Sequence, residues 1–246
     1  MDRIIYTSMT GANASMNRQA VLANNLANAS TTGFRAEMAN FRSVPMQGAG
    51  ATTRVFGLEA TSGHRMAAGP AQTTGRALDV MAVGQAWFAV QGLDGTEGYT
   101  RDGNFQLTAQ GQLVTATGLP VLSDGGAPID VPQGAEVTIG TDGTVSAQVA
   151  GQPPQAVGRL KLATATEEAP LVRGDDGLFR AAAGDVLAQD PNAQMRAGML
   201  EGSNVNAVEC MVGMIAAARQ FEQQMRLLQT AESDDKAANR LLSLNG

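Results

Sequence analysis

The chain is short of the groups on which most enzyme chemistry depends. Across 246 residues it has one histidine, His64, and one cysteine, Cys210. A lone thiol closes no intramolecular disulfide, so no oxidised framework can be read. A single imidazole with no second His or Cys supports neither a metal cluster nor a Ser-His-Asp arrangement. His64, between Gly63 and Arg65 in Gly/Ala/Thr-rich text, reads as a solvent-exposed loop residue. Cys210 reads as a small residue packed within a helix. Basic residues number 17 and are spread along a chain of net charge −6. With no Lys/Arg cluster to displace counterions, nucleic acid is not an expected partner. Aromatics are only 4% of the chain, against 29 glycines, which suits short strands and tight turns better than a thick aromatic core. No apolar run approaches the roughly 18 residues of a membrane span. The opening MDRIIYTSMTGANASMNRQ has no apolar stretch of the secretory type. The expectation is a soluble protein with neither a membrane span nor a cleavable signal, cytosolic unless another route exports it.

The acidic turns are equally unpromising as sites. Asp102-Gly103-Asn104, Asp124-Gly125 and Asp142-Gly143 lack the alternating oxygens and closing glutamate of a calcium loop, and read as hairpin turns. Glu167-Glu168 and Asp175-Asp176 are neighbours in sequence, so in a strand they would point to opposite faces. No glycine loop lies between a strand and a helix in the manner of a phosphate cradle. Catalytic, cofactor and metal residues are therefore all expected to be none.

Two long periodic segments stand at the ends. Ile5, Met9, Ala12, Met16, Gln19, Ala23 and Leu26 alternate spacings of four and three, a heptad-like stripe predicting a helix over residues 3–28. Ala207, Met211, Met214, Ala218, Phe221, Met225 and Leu228 repeat the alternation and predict a helix over 205–243. Both stripes are thin, so neither helix is expected to be stable without a partner. Between them, WFAVQ, GYTRDGNFQLTAQGQLVTATGLPVL and VTIGTDGTVSAQVAG combine β-formers with Asp-Gly pairs, as antiparallel hairpins do. The chain thus divides into an N-terminal assembly helix (1–35), an extended ribbon (36–79), a central β domain (80–185), a return segment (186–204) and a C-terminal assembly helix (205–246). The fold class is α+β, with the terminal helices pairing in a coiled-coil-like way around a distinct antiparallel β domain.

The segment ANNLANASTTGFR, residues 23–35, places three asparagines at the end of the first helix. Asn24 and Asn28 share a face and Asn25 is rotated by about 100°. Buried asparagine in a helix seam fixes register and partner choice at some cost in stability. Ser30 to Gly33 stop the helix, and a left-handed Gly33 lets Phe34 anchor the departing chain.

That segment resembles the N-terminal signature of the bacterial flagellar rod and hook (axial) proteins, and LEGSNVN (200–206) resembles their C-terminal signature. ALDVMAVGQAWFAV (77–90) and YTRDGNFQLTAQGQLVTATGLPVL (99–122) resemble their central blocks, in the same order. FRAEMANFRSVPMQG (34–48) and the tryptophan of GQAWFAVQ resemble the proximal-rod branch, whereas hook and distal rod proteins usually carry GxGFF there. The resemblance implies a structural subunit that is no enzyme and needs no cofactor or small-molecule substrate. Its terminal helices would polymerise helically with copies of itself and other rod subunits, carrying torque from motor to hook and filament. It further implies export through the flagellar type III apparatus and assembly as a periplasmic rod of the basal body. Carried over by position, Asn24, Asn25, Leu26, Asn28, Gly33 and Phe34 match the first signature, and Leu200, Glu201, Ser203, Asn204, Val205 and Asn206 the second. With Ile5, Met9, Met16, Met211, Met214, Phe221, Met225 and Leu228 of the stripes, these form the expected assembly interface. A distal rod subunit is the nearest alternative. An oligomeric adhesin or carbohydrate-binding β domain is a more distant one, and an enzyme relying on carboxylates alone more distant still.

Overall fold

The computed structural model describes residues 2–45, 55–166 and 169–243. The first helix, α1, is Asp2–Ala27 and the last, α2, is Ala207–Ser243, with short strands between them. The chain forms two compact units, each discontinuous in sequence: residues 1–28, 37–63 and 205–246 make a helical unit, and residues 29–36 and 64–204 a β body.

In the helical unit α1 and α2 pack along each other, beside a two-stranded ribbon of Glu37–Pro45 and Val55–His64. A Cβ placed on Gly11 would lie 3.0 Å from the Gln224 side chain, and one on Gly213 would lie 3.0 Å from Leu22. Moving eleven residues forward along α1 therefore moves eleven back along α2, and the pair is antiparallel. The two contacts are also reciprocal, so an approximate twofold axis relates residue 11 to residue 213 and residue 22 to residue 224, an offset of 202 in each case.

The inward face differs from the expected stripe. On α1 it is Ser8, Ala12, Ser15, Gln19, Leu22 and Leu26, and on α2 Ala207, Cys210, Met214, Ala217, Phe221, Gln224, Leu228 and Ala231. Alternate members of each expected stripe are present, but Met9, Met16 and Ala23 give way to Ser8, Ser15 and Leu22, and Met211, Ala218 and Met225 to Cys210, Ala217 and Gln224. Met9, Met16, Met211 and Met225 are exposed instead. The reason is closeness of approach. Glycine inside a helix costs roughly 1 kcal/mol relative to alanine, yet at positions 11 and 213 a side chain would meet the other helix. Serine, alanine and cysteine let the backbones come near, whereas methionine at those positions would hold them apart. The Ser15 hydroxyl donates to the Gly11 carbonyl at 2.9 Å, which satisfies it without a partner on α2.

The β body holds large apolar side chains. Its five-stranded antiparallel sheet runs in the order Leu162–Thr164, Ala86–Gln91, Glu97–Thr100, Phe179–Ala181, Leu171–Arg173. A three-stranded antiparallel sheet joins Gln155–Arg159, Thr144–Gln148 and Glu136–Ile139. Phe88, Val90, Phe105, Leu113, Val145, Leu160 and Leu162 form one core, and Trp87, Tyr99, Leu171 and Phe179 a second. The outgoing and returning chain are paired: Ala71–Thr73 with Met199–Glu201, and Val80–Ala82 with Met195–Ala197, both antiparallel. Of the Asp-Gly turns, Asp142-Gly143 has the expected left-handed glycine, φ 89°. Asp102-Gly103 does not. A Cβ at Gly103 would fall 1.8 Å from the Val80 carbonyl oxygen, so glycine is needed there for close passage of two chains, while the Asp102 carboxylate accepts from the Asn104 amide.

Candidate assembly interface

Residues 29–35 of the first signature and 200–204 of the second meet inside the β body. Gly33 has φ 68°, donates its amide to the Glu201 carbonyl at 2.7 Å, and leaves no space for a side chain, since a Cβ would be 2.4 Å from the Arg101 backbone carbon. Phe34 is buried, with the Arg173 guanidinium 4.7 Å above its ring. The adjoining cleft of about 300 Å³ is lined by Gly33 and Phe34 together with Leu93, Leu119, Arg173 and Leu178.

Glu201 is fully buried between two buried arginines. Its Oε1 accepts from Arg35 at 2.6 Å and from the Gly69 amide at 2.9 Å. Arg101 Nε lies 2.8 Å from Oε2, an ion-pair contact whose N–H is not aimed at the oxygen. Arg101 also donates to the carbonyls of Ala86 and, at 2.7 Å, Gly84. Both guanidinium carbons stand over Trp87, 5.7 Å and 5.6 Å from the ring centroid. The cluster holds two positive charges and one negative, and the ring face and carbonyl dipoles supply the remaining negative potential. Burial pushes the Arg101 guanidinium down to about 10; Glu201 opposes that shift and Arg35 adds to it. Among the residues sequence reasoning singled out, Glu201 thus has its carboxylate engaged within its own subunit. Arg35 and Arg101 were not singled out. A carboxylate in otherwise small, polar LEGSNVN was the available signal, since a charge in such a segment calls for a cation.

The amides of the signatures are also engaged. Asn25, in the helical unit, is buried, and its carboxamide clamps one backbone residue from both sides, donating to the Glu37 carbonyl at 2.9 Å and accepting from the Glu37 amide at 2.8 Å. Asn28 donates to the Asn24 carbonyl at 2.9 Å, closing the last turn of α1. Asn204, in the β body, accepts from the Ala36 amide at 2.7 Å and donates to the carbonyls of Arg65 and Ala67. Asn206 caps α2, its Oδ1 accepting from Val208 and Glu209 at 3.1 and 3.2 Å. Leu200 and Ser203 are buried and Val205 half-buried, while Leu26, Met214, Phe221 and Leu228 line the helix seam half-buried. Ile5 lies in α1.

What remains open is apolar helix surface. Tyr6, Met9 and Met16 on α1, and Val208, Met211, Val212, Ile215, Met225 and Leu227 on α2, are exposed.

The reactive residues take plain structural places. His64 is no loop residue: it ends the strand Val55–His64, half-buried, its ring edge-on to Phe179 at 5.2 Å. Cys210 is buried in the helix seam, and burial pushes its thiol above the usual range. Asp176 binds Arg180 at 2.7 Å, which holds its carboxyl below the usual range. Glu167 and Glu168 lie outside the described residues. Among the described residues no group of three His, Cys, Asp or Glu could hold a metal ion, and no helix is long and apolar enough to cross a membrane.

Comparison with known proteins settles the family. Residues 5–35 match the flagella basal body rod protein family, 81–147 the flagellar hook protein FlgE/F/G D1 domain, and 196–241 the C-terminal flagellar basal body rod FlgEFG family. The chain is 48% identical to the flagellar basal-body rod protein FlgF of Salmonella typhimurium and to that of Escherichia coli, in each case over all of both chains. The chain belongs to the FlgF family of flagellar basal-body rod proteins. The FlgG rod protein of Buchnera aphidicola is more distant, 33% identical over 93% of this chain and 95% of its own. The FlgF family is one of basal-body structural components, and the signatures that carry the likeness are the segments whose amides and charges fasten the chain ends described above.

Proposed function

We propose that this chain is a structural subunit of the proximal rod of the flagellar basal body, polymerising helically through its terminal helices and carrying torque towards hook and filament. One observation carries this reading: α1 and α2 bury small side chains against each other and leave Met9, Met16, Val212 and Ile215 exposed. A helix pair built this way has its larger apolar surface available for neighbours. Repetition of one heterologous contact along a non-closing screw gives a filament rather than a ring. Its neighbours on this reading are copies of itself and other rod subunits. It is no enzyme, reaches the periplasmic rod through the type III export apparatus, and takes part in assembly through the helices rather than through the engaged Glu201 and Asn25. On this reading the assembly element is a short antiparallel coiled coil, which the alternating three- and four-residue steps of the two inward faces support.

The test is complementation of a deletion strain with the wild-type chain and with Met16→Glu/Ile215→Glu. The wild type should restore swimming and complete basal bodies in electron micrographs. The double variant, present at equal level, should leave the rod truncated. Full swimming from the double variant would remove the helix faces from the mechanism.

A further inference from the structure

Met38 and Met66 are exposed outside the helices, but the four exposed methionines of α1 and α2 follow one pattern. Met9, Met16 and Ala23 each follow an inward residue of α1, namely Ser8, Ser15 and Leu22, and Met211, Ala218 and Met225 each follow the matching inward residue of α2, namely Cys210, Ala217 and Gln224. The approximate twofold axis carries residue 9 to 211, 16 to 218 and 23 to 225, so both rows emerge on the same side of the antiparallel pair. By the same register Met9 stands level with Met225, Met16 with Ala218 and Ala23 with Met211. The result is one stripe of thioethers and methyl groups contributed by both helices. Met9 and Met16 are each 54% exposed, Met211 47% and Met225 38%, against 1% for Met195 in the β core.

We propose that this stripe is an oxidation-sensitive modification site: peroxide oxidises the Met9, Met16, Met211 and Met225 thioethers, and the resulting sulfoxides block assembly of the free subunit. The inference rests on the reading of the helix faces as the assembly surface. In the step itself, a sulfur lone pair attacks one peroxide oxygen. An S–O bond forms as the O–O bond breaks, and the departing hydroxide takes the proton from the sulfur-bound oxygen to leave as water. Sulfur loses two electrons and the peroxide gains them. A sulfoxide is polar and chiral where the thioether was apolar and flexible, so a surface that docks by burying methionine loses its complementarity. A methionine sulfoxide reductase reverses the change, the oxygen leaving as water while a dithiol donor becomes a disulfide. Once the subunit is assembled the same sulfurs are covered, so the modification acts on free chains.

The experiment uses the full-length chain, pulsed with dilute hydrogen peroxide, mapped by peptide mass spectrometry and followed by sedimentation over a range of concentrations. The four stripe sulfurs should react at least about ten-fold faster than Met195, and self-association should weaken by about ten-fold or more. A variant with Met9, Met16, Met211 and Met225 all changed to leucine should associate as the untreated chain does, before and after the same pulse. Exposed Met66, in the β body, then oxidises in both proteins without effect. Stripe sulfurs reacting no faster than Met195, oxidised chain associating as well as untreated, or a leucine variant that still loses association would each overturn the proposal. A chain that associates in no state contradicts the assembly reading and with it the block on assembly, and the relative oxidation rates then decide only whether the stripe is a site of oxidation.

Discussion

The helical unit and the β body are held together by different kinds of contact. Among the described residues, the helical unit buries Ser8, Ala12, Ser15, Asn25, Cys210 and Ala217; the β body buries Phe88, Phe105, Leu113, Leu160 and Leu162, together with the ion cluster of Arg35, Arg101 and Glu201. Burial of a leucine or phenylalanine contributes roughly 1.5–3 kcal/mol, and each buried methylene only about 0.8. The β body therefore has the larger apolar core, whereas the helix pair fully buries only small or polar side chains, keeps Leu22, Leu26, Met214, Phe221 and Leu228 half-buried in its seam, and leaves Met9, Met16, Val212 and Ile215 exposed. On the proposed function, such a subunit would bring a packed body and a helix pair whose exposed apolar faces are completed by its neighbours.

The sharpest break in this contrast should come at Glu201. Glu201→Ala leaves two guanidiniums buried without their carboxylate, and loss of one partner from a buried ion group costs about 3–5 kcal/mol. Urea unfolding followed by the single tryptophan, Trp87, which stands beside both arginines, should register it. Leu160→Ala in the first core should cost about 2–5 kcal/mol by the same measurement. In the helical unit the largest single effect should be smaller. Asn25→Ala orphans the amide and carbonyl of Glu37, and unsatisfied polar groups of this kind cost about 1–3 kcal/mol; the loss should show in helical circular dichroism and leave the tryptophan transition in place. Smallest of all, Met16→Glu should change monomer stability by no more than about 0.5 kcal/mol, as surface substitutions do, yet abolish swimming. A Met16→Glu that unfolds the monomer, or a Leu160→Ala that leaves the β body untouched, would erase the distinction between the two regions.

Much of this was legible in sequence, for reasons that also explain the misses. The helices were visible because a period near 3.5 survives any choice of partner. Their inward face was misjudged by one residue at alternate positions because methionine is the more apolar choice at 9, 16, 211 and 225, whereas the seam selects for small size at 8, 15, 210 and 217. The hairpins were visible through Asp-Gly pairs, although at Gly103 the glycine answers to the passing Val80 carbonyl rather than to a left-handed turn. Glu201 could be picked out by its signature, but its partners Arg35 and Arg101 lie 166 and 100 residues away in sequence. A contact at that separation leaves no local pattern.

The claim that the helices are completed by their neighbours is tested most directly by amide hydrogen exchange, on the dilute subunit and on the assembled rod. The account predicts that amides of α1 and α2 exchange far faster than those of Ala86–Gln91 and Leu162–Thr164 in the dilute subunit, and become as protected as those strands after assembly. Helices already as protected as the β sheet in the dilute subunit, and unchanged in the rod, would contradict it.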